Sequence, residues 1–137
     1  MLYLDIVTPR KGAFSDEVES VLVPGSEGEL GILPAHAPLV TSLRPGELRY
    51  SKDGRETSLA IGTGVVEISG DHVSVLTDMV LADSEIDQSS VEEALERARK
   101  AIAEKQGDPD EVAVHEISIL KSLAQLQVKR RKHSKEL

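Results

Sequence analysis

The sequence predicts an α+β chain in two parts, an N-terminal antiparallel β-sandwich over residues 1–84 and a C-terminal antiparallel two-helix hairpin over residues 85–137. Three observations lead there. Apolar residues alternate, or fall in short runs broken by turn residues, as far as about Asp83. From Glu85 onward the apolar period becomes that of a helix. The chain has 137 residues, 39% of them hydrophobic, which is enough for one ordinary domain with a small appendage. Two Tyr, one Phe and no Trp leave the core to be built from aliphatic side chains.

Along the first part, Leu2, Leu4 and Ile6 fall on one face of a strand, with Tyr3, Asp5 and Val7 on the other. Val18 to Val23 reads as a second segment, ended by Pro24-Gly25. Leu39 to Leu43, Glu47 to Lys52 and Thr57 to Ile61 follow, ended in turn by Pro45-Gly46, Asp53-Gly54 and Gly62. Asp53-Gly54 is a hairpin signal, because both turn positions need positive φ. Val65 to Ser69 and His72 to Thr77 flank Gly70-Asp71, a second tight reversal. Short strands at this spacing predict an antiparallel sandwich or a flattened barrel.

In the second part, Ser90 and Glu93 fit a capping box, and Val91, Leu95, Ala98 and Ile102 form one apolar stripe. Gly107 stops this helix. Asp108 is placed to cap a second one, with Pro109 in its first turn and Asp110 and Glu111 where the helix dipole favours negative charge. Ala113, Ile117, Leu120, Ala124 and Val128 form its stripe, and Lys129 to Lys132 lie toward its end. The helices should be about 25 Å and about 35 Å long. Two helices facing only each other bury little surface, so the hairpin needs a third surface, either the β part or another protein. If the two offer similar free energy, the hairpin is bistable.

Composition excludes several functions. No cysteine means no disulfide, no thiol nucleophile and no thiolate metal site. His36, His72, His115 and His133 form none of the short spacings that hold zinc, and His72 and His115 read as structural or surface residues. The glycine-rich run Gly25 to Gly31 lacks a Lys-Ser or Lys-Thr and carries Glu27 and Glu29, which would repel phosphate, so it is not a P-loop. Gly62-Thr63-Gly64 leads into Val65-Val66 rather than opening a helix, and so reads as a turn rather than a dinucleotide site. A stand-alone hydrolase would require a cluster of carboxylates with perturbed pKa values that the sequence does not announce. The longest run free of Asp, Glu, Lys and Arg, Leu30 to Leu43, contains Pro34 and Pro38 and falls short of the about 18 apolar residues of a membrane span. No secretory leader pattern opens the chain, which is read as cytosolic-side.

Charge is uneven. Residues 121–137 hold six basic side chains against Glu136 alone, a net +5 that leaves −13 for residues 1–120 of a chain whose total is −8. A basic tail on an acidic body seeks an acidic partner. Nucleic acid is disfavoured, because no aromatic side chain lies in the tail and the body would repel phosphates.

The run from Val23 to Leu39, VPGSEGELGILPAHAPL, closely resembles the Gly-x-x-Gly-x-x-Gly-Ile-x-Pro-x-His-Ala-Pro segment of the epsilon subunit of bacterial F-type ATP synthases, called delta in mitochondria. The likeness extends to the opening Leu-Asp-Ile-Val strand, Arg44-Pro45-Gly46, the Gly62 and Gly64 pair, Gly107-Asp108 and Leu123-Ala124-Gln125-Leu126. It implies a sandwich of about ten strands and two helices, acting as a noncatalytic rotor part without a cofactor. The implied partners are the gamma subunit, the polar loops of the c-ring and, through the hairpin, the catalytic alpha and beta subunits. Contact with the membrane would be only indirect, at the cytoplasmic face of a bacterial inner membrane.

By the same resemblance, Glu29 matches a position implicated in c-ring contact and His36 is the motif histidine, structural or interfacial in role. Lys121, Lys129, Arg130, Arg131 and Lys132 are suited to meet an acidic segment and block ATP hydrolysis. Some relatives bind ATP through Ile/Leu-Asp-x-x-Arg-Ala. Here the stretch is Ile86-Asp87-Gln88-Ser89-Ser90-Val91, with Ser90 and Val91 at the Arg and Ala positions and Lys121 and Gln125 in place of second-helix arginines. Weak or no ATP binding is the expectation. The competing reading from another class is a free-standing β-sandwich adaptor whose hairpin binds a helical partner.

Overall fold

The structure is a computed structural model that describes residues 1–9, 12–104 and 109–136. Among the described residues there are ten strands: β1 (Leu2–Thr8), β2 (Gly12–Val18), β3 (Ser20–Gly25), β4 (Gly28–Ile32), β5 (Leu39–Leu43), β6 (Gly46–Lys52), β7 (Arg55–Ile61), β8 (Gly64–Ser69), β9 (His72–Thr77) and β10 (Val80–Ala82). They form a continuous ladder in the order β10-β7-β6-β3-β5-β8-β9-β1-β2, with β4 paired to β3 beside that path. The ladder narrows to the single pair Gly25–Leu43 between β3 and β5. There it folds over, so that residues of both halves share one core.

That core is aliphatic. Leu2, Leu4, Ile6, Val18, Val21, Val23, Ile32, Leu48, Ile61, Ile68 and Val73 are essentially inaccessible, while Phe14 and Tyr3 are exposed. The alternation along β1 is the expected one, with Leu2, Leu4 and Ile6 buried and Tyr3 and Val7 outside.

Three features differ from the pattern-based reading. First, Val18 to Val23 is not one strand. Val18, Val21 and Val23 all face the core, yet Val18 and Val21 are an odd number of residues apart and would take opposite faces of an unbroken strand. The bend at Glu19 resets the phase, ending β2 and starting β3. Second, the glycine-rich run, which the pattern left out of its strands, forms a hairpin, with β4 returning along β3 in the register Gly25–Gly28, Pro24–Glu29, Val23–Leu30. A Cβ on Gly25 would lie 2.8 Å from the Gly28 carbonyl oxygen, and Gly28 has φ +132°, so both glycines serve this reversal. Third, the sheet is not wholly antiparallel, since β1 runs parallel to β9. A parallel pair needs a long crossover, here everything from β2 to β8, which local turn signals do not reveal. The Asp53-Gly54 turn does carry positive φ at both positions, 52° and 75°.

A 3-10 turn over Asp83–Glu85 leads into α1 (Gln88–Glu104) and then α2 (Pro109–Glu136). The cap of α1 is Asp87 rather than Ser90: its carboxylate accepts the Ser90 amide at 3.3 Å and its carbonyl accepts the Val91 amide at 3.0 Å. Ser90 is already inside the first turn. Val91, Leu95 and Ala98 are buried as the stripe predicts. At 28 residues, or about 42 Å, α2 is longer than expected. Its stripe holds only in part, with Ala124 and Val128 buried but Ala113 and Ile117 exposed, because the contacts with the sandwich come from Lys121 onward. The stop at Gly107 and the cap at Asp108 lie outside the described residues.

Candidate functional site

The hairpin finds its third surface on the sandwich. Strand β7 is buried on both faces: Leu59 and Ile61 enter the main core, and Ala60 between them faces α2. Ala60, Ile86, Val91, Ala124 and Val128 form a second apolar cluster, flanked by Met79, Leu81 and Leu126. Small side chains at Ala60 and Ala124 let helix and strand approach closely.

Ion pairs ring this cluster. Lys121 Nζ lies 2.8 Å from Asp78 Oδ2, and Lys129 Nζ lies 3.5 Å from Asp83 Oδ1. Arg131 Nε donates to both oxygens of Glu47, at 2.7 and 2.9 Å. The Glu47 side chain is only 4% exposed, whereas that of Asp78 is 47% exposed. Exposed pairs contribute roughly 0–1 kcal/mol, so the Arg131–Glu47 pair is the one whose disruption matters most. Arg49, on β6 itself, approaches the same carboxylate at 3.7 Å.

The two glycines of Gly62-Thr63-Gly64 have distinct spatial roles here. A Cβ on Gly62 would fall 1.9 Å from Asp78 Oδ1 and 3.1 Å from Lys121 Cε, so this glycine makes room for the ion pair. Thr63 Oγ1 donates to Asp78 Oδ2 at 3.1 Å. Gly64 instead lets β8 and β9 come together, since a Cβ there would overlap the Leu76 carbonyl oxygen.

Burial alone would raise the Asp78 carboxyl, but hydrogen bonds from Lys121 and Thr63 outweigh it and hold the group below its ordinary 3.8. The hydrogen bond to Glu47 raises the Arg131 guanidinium further above its already high value, against the opposing effect of desolvation. Release of the hairpin takes Lys121 away from Asp78 and returns that carboxyl toward 3.8. The bridge therefore favours docking fully above pH 3.8, and the contribution disappears as pH falls through the depressed value. Acidification through this range is expected to loosen the hairpin. It is measured as the distance between labels on α2 and the sandwich, and the Asp78→Asn chain should show a flatter response. Identical responses in the two chains would remove Asp78 from the docking balance.

The residues singled out from the sequence fall in three places. Lys121, Lys129 and Arg131 come together on the inner side of α2, paired with the sandwich, while Arg130 is exposed and the side chain of Lys132 lies outside those described. Ile86 and Val91 are buried in the seam beneath the hairpin, and Asp87 and Ser90 form the α1 cap between them. Glu29 is exposed on β4, near enough to the hairpin to act on the charge of Arg131, and His36 is half-buried, its Nδ1 2.7 Å from the Ala37 carbonyl oxygen. His72 pairs with Asp5, which also accepts a hydrogen bond from Ser15. Sequence reasoning named no acid opposite the hairpin cations. The excess of negative charge in residues 1–120 was a signal that acceptors existed, but only the fold brings Glu47, Asp78 and Asp83 to one seam.

Residues 1–83 match the family model described as ATP synthase, Delta/Epsilon chain, beta-sandwich domain, and residues 84–130 match its companion, the long alpha-helix domain. The chain belongs to the ATP synthase delta/epsilon family. Among its relatives, the ATP synthase epsilon chain of Dehalococcoides mccartyi is 42% identical over 134 residues, covering 96% of each chain. The epsilon chain of Geotalea uraniireducens is 36% identical, covering 93% of this chain and 92% of the relative. In fold, the chain is similar to one in the Euglena gracilis mitochondrial ATP synthase, with a TM-score of 0.79 at 24% identity, covering 92% of this chain and 79% of that one. Delta/epsilon membership thus spans both the sandwich and the hairpin.

Proposed function

We propose that the chain is the epsilon-type subunit of the central stalk of a bacterial F-type ATP synthase, a noncatalytic rotor part that couples c-ring rotation to ATP synthesis through the gamma subunit. Family membership across residues 1–130, with epsilon-chain relatives matched over nearly their whole length, is the observation that carries this reading. The physical character of the chain suits it. A rotor foot needs a stiff body with broad contact surfaces, and a close-packed aliphatic sandwich resists deformation because its interior is dense. Glu29, exposed on β4, is suited to meet polar loops of the c-ring, and His36 to support the loop beside it.

No described helix is long and apolar enough to cross a membrane, so the subunit would sit peripherally, held by the complex at the cytoplasmic face of the inner membrane. Residues 1–84 serve as the rotor foot and residues 85–137 as a regulatory hairpin. In a released form the hairpin would extend along gamma, where Lys121, Lys129, Arg130, Arg131 and Lys132 meet an acidic segment of the catalytic subunits and slow ATP hydrolysis. Reconstitution with the gamma partner and the catalytic subunits tests both parts. The chain truncated after Ser84 should still assemble and should raise the hydrolysis rate above that of the full-length complex. Failure to bind gamma would sink the rotor reading. An unchanged hydrolysis rate over a range of ATP concentrations would remove the inhibitory role alone.

A further inference from the structure

We propose that the Arg131–Glu47 pair is the latch that holds the hairpin on the sandwich, and that the docked hairpin masks the cations its inhibitory action requires. The second half rests on the functional reading above; the first does not.

The three pairs are unequally exposed. Lys121–Asp78 lies at the edge of the seam, where water takes over readily from either partner, and Lys129 reaches Asp83 Oδ1 only at 3.5 Å, without a hydrogen bond. Glu47 is different, with a side chain 4% exposed and Arg131 Nε against both of its oxygens. Taking away one member of such a pair leaves a buried charge without its counterpart in the docked form only. In the released form water solvates whichever member remains, so the loss falls selectively on docking. Arg49, 3.7 Å away, offsets part of the Glu47 charge but does not distinguish the two forms. It lies on the same strand as Glu47, accompanies it in both forms, and its Nε makes no hydrogen bond.

The position of Arg131 strengthens the latch. It lies far along α2 from Pro109, one turn beyond Val128, which packs with Ile86 at the root of α1. A pair at that distance must open if α2 is to swing away.

Lys121, Lys129 and Arg131 are three of the cations suited to an acidic partner, and each is turned toward an acid of the sandwich. Sandwich and partner therefore compete for the same side chains. A partner shifts the hairpin only by as much as its preference for the released form exceeds the strength of docking. Weakening the latch from the sandwich side, with every cation left in place, makes the chain a stronger inhibitor.

The chain lacks cysteine, so Ser69→Cys and Gln127→Cys, both at exposed positions, provide the only thiols for spin labels. Distances in the isolated full-length chain are measured over a salt series that brings the released fraction into range. E47Q and R131M are each expected to lower the ratio of docked to released chains by roughly tenfold or more. The double variant E47L/R131M, an apolar pair with no charge left alone, should dock at least as well as the parent. R131M leaves the sandwich sequence untouched, so a folding defect in E47Q does not spoil the test. Parent-like distances in both single variants would overturn the latch. In the assembled complex, E47Q should hydrolyse ATP more slowly than the parent. Shifted distances with unchanged hydrolysis would uphold the latch and overturn the inhibitory reading.

Discussion

Replacing Leu4 by alanine is expected to lower the unfolding free energy by about 2–5 kcal/mol. Leu4 has no accessible surface and sits in the middle of β1, level with Asp16 of β2 and Val73 of β9. Neighbours on both sides are held by ladder hydrogen bonds, so the backbone cannot close the space that the lost methyl groups leave. The change is read from urea unfolding followed by tyrosine fluorescence, since Tyr3 and Tyr50 both lie in the sandwich. Val7→Ala, on the outer face of the same strand at 38% exposure, is the control and should shift stability by less than about 1 kcal/mol. Equal effects at the two positions would mean that β1 does not have one buried face and one open face.

The second large effect is expected at Gly64. A Cβ there would lie 1.9 Å from the Leu76 carbonyl oxygen and 2.9 Å from Thr77 Cα, all of it backbone in the facing strand. Gly64 pairs with Thr77 in the β8–β9 ladder, so relief requires parting two strands at the centre of the sheet. Gly64→Ala should cost roughly 3 kcal/mol or more. Gly31→Ala supplies the contrast. Its Cβ would meet only Leu22 Cδ1, at an ordinary 3.9 Å, and its backbone is not left-handed. That change should be within about 1 kcal/mol of neutral, with the stiffer unfolded chain in its favour. A Gly64→Ala chain as stable as the parent would show that β8 and β9 are not packed this closely.

The sandwich was largely legible from alternation because its core is aliphatic and its turns are marked by glycine and proline. β1, β5, β8 and β9 follow directly from where Leu, Val and Ile recur, and β6 from the turn residues on either side of it. β2 was hidden because GAFSDEV does not alternate between apolar and polar residues, and β4 because its glycines read as turn chemistry alone. β10 was too short for any period to show. The hairpin was legible as two amphipathic helices, and so was its need for a third surface. Its seat was not, because Glu47, Asp78 and Asp83 lie far apart in the sequence and Ala60 is unremarkable within Leu59-Ala60-Ile61. Asp87 illustrates a related limit. The residue that caps α1 lies within the stretch compared with a nucleotide motif, and only the amide of Ser90 pointing at its carboxylate assigns it the cap.

The parallel neighbour of β1 has a consequence for how the chain is made. During synthesis the first strand can zip to β2 almost at once, but its other edge stays bare until His72–Thr77 have left the ribosome. For most of translation the nascent chain therefore carries an open flank with Leu2, Leu4 and Ile6 beside it, a template for mispairing with another chain. Closure of the sheet comes late, just before the helices emerge, so the hairpin meets a finished seat rather than a half-built one.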